Sequence, residues 1–405
     1  MKQQPNYTFA LTVVIIVCFL LGFVTTMNNS MIDFCKQTFG LTETQGQLVN
    51  TAFYGAYILS IPLGILMKKL GYKTTLVLGL AIITLGFVLN FGGIALWGET
   101  AAIYYIFLCC MFCVAIGIVL LQLVSNPYVM VLGAPEKGAF RMTLSQTFNS
   151  LATTVAPLFV SMLIVSGSEG YSAASIKFPF LGLGIFTLIL CLILAKLKLP
   201  EINEAKEETE GKASGNVTYK SSAYKYPHVW LALISIIAYM GVEIGIPSLL
   251  PAKIRSLGIE GDPTSLLSFY WGGMLVGRAL GTIVLTRFKA RPLLATCLSI
   301  AAVCVALSFV LPGVYSIYAL ILTGLFHSVM WPLIFNLGLQ DLGPHTKEAS
   351  GVINTGVIGA AILPLIMGSI VDSPALGLGV AVGTLFIYYA YILWFTLAGS
   401  KIRSK

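Results

Sequence analysis

The sequence predicts an all-α polytopic membrane protein with twelve transmembrane helices in two related six-helix halves. Three observations lead to this prediction: an apolar composition, recurrent apolar segments of membrane-spanning length, and motifs that repeat in the same order in both halves. Of the 405 residues, 57% are hydrophobic and 10% are charged, whereas soluble domains carry about 25% charged residues. Most of the chain is therefore expected to lie in lipid, which counts against a soluble enzyme.

Apolar segments separated by glycine, proline or charged residues define the predicted helices. At about 1.5 Å per residue, some 20 residues cross a hydrocarbon layer about 30 Å thick. The first segment exceeds the apolar region of a secretory signal and lacks a small-residue cleavage site, so we interpret it as a retained helix. The predicted helices are 8–34, 45–67, 74–97, 102–131, 139–166, 176–198, 228–252, 264–286, 292–311, 314–338, 348–370 and 376–398.

Paired motifs indicate that the second half repeats the first. The segment that ends the second predicted helix begins at Gly64, the one that ends the eighth begins at Gly281, and in each the glycine is followed by a cationic turn. Leu132-Gly133 and Leu342-Gly343 form a second pair, in the same order. Parallel repeats of this kind are known in membrane bundles. The predicted domains are an N-terminal six-helix bundle, a polar cytoplasmic linker with nothing to bury, and a C-terminal six-helix bundle, over residues 1–198, 199–227 and 228–405.

The basic residues predict the orientation in the membrane. The net charge of +8 could suggest nucleic acid, but the cations concentrate in alternate loops, as the positive-inside rule requires. We therefore expect a multi-pass protein of the cytoplasmic (inner) membrane, with both termini and the linker cytoplasmic and no nucleic-acid partner. The clustered cations are Lys68, Lys69, Lys73, Lys137, Arg141, Arg287, Lys289, Arg291, Lys347, Lys401, Arg403 and Lys405.

Cysteine and histidine give no sign of a metal or redox centre. The eight cysteines lie almost all in apolar runs, where they behave as small hydrophobic residues. Cys110 and Cys113 have the spacing of a redox pair, but an apolar helix denies them access to partners. The three histidines form no ligand cluster. We expect no cofactor, no metal and no enzyme activity.

Amide side chains inside the apolar segments are the candidate binding residues, since polar groups in hydrocarbon are costly to bury. Amides carry both donors and acceptors, and together with aromatic rings they suit a polyhydroxylated ring. The alternative is that they bridge helices, for about 0.6 kcal/mol each. The predicted substrate-binding residues are Asn28, Asn29, Gln122, Asn126, Gln146, Asn149, Trp331, Asn336 and Asn354; His327 is a further polar residue of these segments.

Two carboxylates are candidates for proton coupling, Glu243 near the middle of the seventh predicted helix and Asp33 on the first. A membrane carboxylate that gains and loses a proton as its access alternates would link transport to a proton gradient. Two alternatives stay open. Glu243 and Arg278, on adjacent helices, would neutralise each other, and Asp33 would be solvated at the periplasmic mouth.

After Asn126, Pro127 should break the hydrogen-bond ladder of its helix.

The loop after the second predicted helix, Lys68-Lys69-Leu70-Gly71-Tyr72-Lys73, is expected to turn tightly. Glycine at position 71 permits a positive φ, and the cations suit the cytoplasmic leaflet. Gating or structural roles are predicted for Gly64, Lys68, Lys69, Gly71, Arg141 and Arg278.

Several motifs carry a resemblance that covers nearly the whole chain. They are Ala52-Phe53-Tyr54, Asn126-Pro127-Tyr128, the run Gln146-Thr147-Phe148-Asn149-Ser150 after Arg141, and Pro332 before Leu342-Gly343. In these motifs the chain resembles the fucose:proton symporter family of the major facilitator superfamily, with its glucose/galactose branch. The resemblance implies the major facilitator fold, alternating access, proton-coupled sugar uptake, no bound cofactor and a monomer.

Two positions depart from that family. Asn28-Asn29 stands where the family typically reads Asn-Asp, and Gln122 stands where the fucose branch carries a glutamate, although the glucose/galactose branch is similar to this chain in having a glutamine there. Gly241-Val242-Glu243 is similar to the glucose/galactose branch. The expected function is import of a monosaccharide of the fucose, glucose or galactose class by proton symport, with the sugar, protons and the lipid bilayer as partners. The alternatives are a sugar uniporter without proton coupling and a proton-antiport exporter of another small solute.

Overall fold

The computed structural model describes residues 8–97, 102–131, 138–165, 172–197, 222–259, 263–285, 288–342 and 346–402. Throughout these ranges the chain is helical or in turns, with no strand. The helices of the first half, in chain order, are α1 (Thr8–Phe39), α2 (Glu43–Gly55), α3 (Ser60–Leu70), α4 (Tyr72–Trp97), α5 (Ala102–Val131), α6 (Gly138–Phe159) and α7 (Lys177–Lys196). A 3-10 turn, Ala56–Leu59, joins α2 to α3, and a π-helical turn, Val160–Val165, extends α6.

Ten helices complete the second half. They are α8 (Pro227–Glu243), α9 (Gly245–Ser256), α10 (Pro263–Leu285), α11 (Ala290–Val310), α12 (Val314–His327), α13 (Met330–Leu339), α14 (Thr346–Asn354), α15 (Gly359–Asp372), α16 (Gly377–Gly383) and α17 (Leu385–Leu397). Several are pairs that continue one another across a short break, such as α8 with α9 and α12 with α13.

The predicted all-helical membrane architecture is confirmed, and the described helices are consistent with twelve spans. Ten stretches of the described chain are long and apolar enough to cross a membrane. The stretch 43–70, made of α2, the 3-10 turn and α3, and the helix α10 occupy the positions of the second and eighth predicted spans.

Two compact units divide the chain. One consists of Met1–Gly40 and Gly55–Ile202, and the other of Leu41–Tyr54 and Asn203–Lys405. The predicted domain limits around the linker stay a prediction, since residues 198–221 lie outside the described ranges. Leu41–Tyr54 is tied to the second unit by Asp372, whose carboxylate accepts the backbone N–H groups of Glu43 and Thr44 at 2.8 and 2.6 Å. These are two of the N-terminal donors that a helix leaves without an internal acceptor.

Two helices that the sequence predicts to be continuous are broken. The predicted helix 228–252 breaks at Ile244, and 314–338 breaks at Ser328 and Val329. Proline explains both breaks, because its ring nitrogen has no hydrogen to donate to the carbonyl four residues earlier. Pro247 leaves the carbonyl of Glu243 without its helical donor, and Pro332 does the same to Ser328. The expectation that Glu243 lies within an unbroken helix is therefore wrong.

Elsewhere the helices are longer than predicted. α1 was predicted to end at residue 34 and continues to Phe39, because Lys36 is not a solvated loop residue but lies buried in its last turns. Pro127 was expected to break the ladder of its helix, yet α5 continues past it to Val131. Gly71 has φ +77°, which confirms the tight turn predicted between α3 and α4.

A glycine stripe on α10 brings this helix against the break between α12 and α13. Gly273 and Gly277, one turn apart, face the backbone of Leu325, and Gly281 faces Val329. A Cβ built on Gly277 would lie 2.1 Å from the Leu325 carbonyl oxygen. Small residues at this spacing allow close helix packing in membranes. The stripe therefore sets the position of the α10 side chains, Tyr270 and Arg278 among them, relative to His327.

Candidate functional site

The predicted polar face of α1 is buried in the first unit. The side chains of Asn28, Asn29 and Asp33 are 0%, 2% and 2% exposed. The spacing of four residues places Asn29 and Asp33 on one face of the helix. Burial contradicts the alternative in which Asp33 is simply solvated.

Amides of α5 and α6 make direct contacts within the same unit. Tyr57 donates its hydroxyl proton to the side-chain oxygen of Gln122. Asn149 donates from Nδ2 to the backbone carbonyl of Cys18 at 3.0 Å. Asn149 thus bridges α6 to α1, which is the alternative, structural role considered for the amides. The side-chain amide of Gln122 is instead oriented by the Tyr57 hydroxyl. Gln146 is partly exposed, and the side chain of Asn126 lies outside the described part of the structure.

The residues predicted to gate or support the first unit are spread along it. Arg141 is 5% exposed and donates from Nε to the carbonyl of Val129 at 3.0 Å, which joins the start of α6 to the end of α5. Lys69 is exposed next to the turn at Gly71, and nothing lies within 4 Å of a Cβ built on Gly64. The side chain of Lys68 is not among those described.

In the second unit, the predicted residues of α13 and α14 lie near helix ends. Trp331 stacks on Phe335 with ring centroids 4.8 Å apart. Asn336 is exposed and accepts a hydrogen bond from Gln340 at 3.4 Å. Asn354 ends α14 and is partly buried. An aromatic platform at Trp331 is thus available, in a helix that begins just after a break.

Glu243 is the last residue of α8 and lies at the break before α9. The hydroxyl of Tyr239, one turn earlier, lies beside the Glu243 carboxyl group, and Arg278 of α10 interacts with that group electrostatically. The predicted pairing of Glu243 with Arg278 is therefore present as a charge interaction. Glu243 thus has two neighbours of different kinds, a phenol and a guanidinium.

Next to Glu243 lies a group that we call the tyrosine–histidine cluster, made of Tyr239, Tyr270, His327 and Tyr389. The four side chains come from α8, α10, α12 and α17, and none is more than 3% exposed. His327 sits at the centre, with Nδ1 2.7 Å from the hydroxyl of Tyr270 and Nε2 2.7 Å from that of Tyr389. One imidazole thereby joins three helices.

The cluster also satisfies the carbonyls that the helix breaks set free. Tyr270 donates to the carbonyl of Glu243 at 3.1 Å, which is the acceptor that Pro247 leaves without a donor. Tyr239 donates to the carbonyl of His327 at 3.1 Å, at the end of α12. Irregular backbone at membrane depth requires such partners, because an unsatisfied polar group there costs several kcal/mol.

Sequence reasoning identified His327 as polar but gave it no role, and it overlooked Tyr270 and Tyr389. The sequence did contain a signal. Pro247 lies four residues after Glu243 and has no N–H group, so the Glu243 carbonyl needs a hydrogen-bond donor from outside its own helix. Which hydroxyl supplies that donor depends on helix packing, which the sequence alone does not reveal.

Within the described residues, no group of three or more histidine, cysteine, aspartate or glutamate side chains is placed to hold a metal ion. The eight cysteines are all free thiols. The chemistry available around Glu243 is that of its carboxylate, the Arg278 guanidinium, the His327 imidazole and the phenols of the tyrosine–histidine cluster, which can bind, orient and exchange protons.

Comparison with known proteins identifies the family. Residues 14–364 match the sequence profile of the Major Facilitator Superfamily. The glucose/galactose transporter of Brucella abortus is 36% identical over 409 residues, which cover 99% of this chain and 96% of that protein. The L-fucose-proton symporter of Escherichia coli is 30% identical over 92% of this chain and 89% of that protein. The crystal structure of FucP in the outward conformation superposes with a TM-score of 0.69 at 27% identity, covering 96% of this chain and 98% of that one. On the profile match and these full-length similarities, the chain belongs to the major facilitator superfamily.

Proposed function

We propose that this protein is a secondary transporter that imports a monosaccharide of the glucose, galactose or fucose class in symport with protons. Relatives named as a glucose/galactose transporter and an L-fucose-proton symporter, each similar over about nine tenths of the chain or more, support the substrate class. Alternating access, by which the site opens to one side of the membrane at a time, follows from the family.

The observation that carries proton coupling is the position of Glu243. Its carboxylate lies at a break in a membrane helix, between a tyrosine hydroxyl and the Arg278 guanidinium. Breaks of this kind form the ion and substrate sites of many transporters. A carboxylate that exchanges its arginine partner for a proton during the cycle would link sugar movement to the proton gradient. Asp33, buried on α1, is the second candidate.

The substrate-binding residues stay a proposal. Amides of the first unit, Asn28, Asn29, Gln122, Asn126, Gln146 and Asn149, would exchange hydrogen bonds with sugar hydroxyls, and Trp331, Asn336 and Asn354 would act from the second. Amides suit hydroxyls because each offers donors and an acceptor. Trp331, already stacked on Phe335, offers a flat apolar face for one side of the ring.

We further propose a monomer in the cytoplasmic membrane, with both termini and the linker 199–227 on the cytoplasmic side. The alternation of basic loops supports this orientation. Reaction of single introduced cysteines, at Lys401 and in the linker, with an impermeant thiol reagent on intact cells would test it. Labelling without permeabilisation would contradict the proposed topology.

The function is tested by uptake of labelled fucose, glucose and galactose into proteoliposomes, with and without an imposed inward proton gradient. We expect one sugar or one epimer pair to accumulate only with the gradient, and protein-free liposomes to show none. Equilibration that does not depend on the gradient would favour the uniporter. The specific observation in favour of a uniporter is that position 29 carries an amide, Asn29, where the family typically has a carboxylate. No movement of any of the three sugars would overturn the proposed substrate class.

A further inference from the structure

The inference concerns how the Glu243 site is held. α8 and α9 meet at Ile244, and the backbone there has lost one hydrogen bond because Pro247 cannot donate to the Glu243 carbonyl. Tyr270 replaces that donor at 3.1 Å. The orientation of the last turn of α8, and of the Glu243 carboxylate with it, thus depends on where Tyr270 keeps its hydroxyl.

Hydrogen-bond counting fixes the protonation of His327. A carbonyl can only accept, so the single hydroxyl proton of Tyr270 is used on Glu243. Towards Nδ1 of His327, the Tyr270 oxygen must therefore accept, and Nδ1 must carry the hydrogen. Nε2 is then the bare nitrogen, which accepts from the hydroxyl of Tyr389 at 2.7 Å. Every donor of the three side chains is used.

The opposite tautomer does not satisfy the same atoms. With hydrogen on Nε2, that nitrogen would donate to Tyr389, and Nδ1 would compete with the Glu243 carbonyl for the one proton of Tyr270. A charged ring would face two neutral hydroxyls and no carboxylate at either nitrogen, which is an unfavourable environment for a buried cation. The geometry therefore selects one neutral form.

We propose that His327, as the neutral Nδ1–H tautomer, is a positioning residue that locks Tyr270 onto the Glu243 carbonyl and so presents the Glu243 carboxylate to Tyr239 and Arg278. This rests on the proposed coupling role of Glu243. The titratable or charged groups around that carboxylate and the imidazole are Tyr239 of α8, Tyr270 and Arg278 of α10, and Tyr389 of α17. Cys304 of α11 faces Tyr389.

The first test is transport as a function of pH. His327→Phe removes both ring hydrogen bonds, whereas His327→Gln keeps an amide that can donate and accept. We expect His327→Phe, Tyr270→Phe and Tyr389→Phe to move the pH midpoint of gradient-driven uptake by about half a unit or more, and His327→Gln to restore part of the shift. Tyr391→Phe is the matched control, because its hydroxyl, on the same helix as Tyr389, makes only a 3.4 Å bond to Leu231.

A merely structural role would lower the amount of folded protein without moving that midpoint. Unchanged midpoints in Tyr270→Phe and Tyr389→Phe, each of which deletes one oxygen atom, would overturn the proposal even if His327→Phe did not fold. The variant Glu243→Gln distinguishes the positioning role of His327 from the coupling role of Glu243. Loss of accumulation in Glu243→Gln together with unmoved midpoints in the other variants would remove only the positioning role, whereas wild-type accumulation in Glu243→Gln would remove the coupling role and the inference with it.

The second test reads the tautomer directly. The chain has three histidines, so nitrogen-15 spectra of histidine-labelled protein are simple, and the His327 signals are those lost in His327→Gln. We expect a protonated Nδ1 and a bare Nε2 for His327. His228 should show the opposite form, because its Nε2 lies 3.1 Å from the Gln340 carbonyl and must donate. A protonated Nε2 on His327 would overturn the proposed locking of Tyr270.

Discussion

The two halves use their polar residues in different ways. In the first unit α1 and α5, which are the first and fourth spans, run unbroken through their amides. Gln122 of α5 accepts from a hydroxyl, and Asn149 of α6 donates to a carbonyl of α1. The corresponding spans of the second unit are broken, and tyrosines satisfy the carbonyls released at the breaks. The first arrangement leaves neutral amides suited to hydroxyls, whereas the second places a carboxylate at a helix break.

This difference arises from two prolines. Both halves contain proline in the fourth span, but Pro127 leaves α5 continuous, while the second half has Pro247 and Pro332 at its breaks. A proline removes one hydrogen bond in every case, and at the Pro247 break a tyrosine of a neighbouring helix supplies the substitute donor. Sugar binding by the amides of the first unit and proton coupling at Glu243 in the second are accordingly expected to respond to different substitutions, and each prediction below tests that separation.

The largest effect is expected from Glu243→Gln. The amide has the size of the carboxylate but no proton to exchange near neutral pH, so gradient-driven accumulation should fall to the level of passive equilibration while sugar counterflow continues. Uptake assays in proteoliposomes measure the gradient-driven accumulation, and counterflow assays measure the sugar exchange. Asp341→Asn is the control, since Asp341 is an exposed carboxylate with φ +59°, a conformation that asparagine also adopts.

Accumulation at wild-type level in Glu243→Gln would shift the coupling role to Asp33, and with it to the first unit. In that case the separation between binding and coupling would be wrong.

The next effect is expected in the first unit. Gln146→Ala and Asn149→Ala should abolish sugar binding while the protein still inserts, because each removes an amide proposed to bind sugar hydroxyls. Asn149→Ala should also lower the thermal midpoint, since it removes the hydrogen bond to the Cys18 carbonyl that joins α6 to α1, at a cost of about 1 kcal/mol. Ligand-induced tryptophan fluorescence and thermal unfolding in detergent measure the two effects.

Thr154→Ala is the matched control on α6, because the Thr154 hydroxyl bonds only the Ser150 carbonyl of its own helix at 3.0 Å. Unchanged affinity in both Gln146→Ala and Asn149→Ala would take these amides out of the binding site and leave Asn149 as a bridge between helices.

A smaller effect on stability is expected from Gly277→Ala. The new methyl group would meet the Leu325 carbonyl at 2.1 Å and the Ser328 hydroxyl at 2.3 Å, and overpacking of this kind costs about 1–3 kcal/mol. The thermal midpoint should fall and transport should slow, because α10 carries Tyr270 and Arg278. Gly351→Ala, where nothing lies within 4 Å of the new carbon, should leave both unchanged, and an equal fall there would point to a general intolerance of glycine replacement.

The fold was largely predictable from the sequence, because spanning a membrane requires about 20 apolar residues per helix and leaves little freedom. The polar residues inside those segments were predictable as well, Glu243 and Asn149 among them. Their partners were not, since the contacts of Asn149 with Cys18 and of Tyr270 with His327 join helices that are distant in sequence. The breaks could have been anticipated from Pro247 and Pro332, although Pro127 shows that proline alone does not decide whether a helix continues.

The smallest effect is expected from Tyr57→Phe, which compares one hydroxyl of the first unit with Tyr270 of the second. Tyr57 orients the side-chain amide of Gln122, and that amide can turn to another partner once the hydroxyl is gone. Tyr270 instead satisfies a backbone carbonyl that cannot turn away. Sugar affinity in Tyr57→Phe should therefore fall only about two- to fivefold, the equivalent of one ordinary hydrogen bond, with an unchanged pH profile. Tyr105→Phe, which removes the hydroxyl of an exposed side chain of the same unit, should change neither the sugar affinity nor the pH profile. A moved pH midpoint in Tyr57→Phe would mean that proton coupling extends into the first unit, through Gln122 and α5.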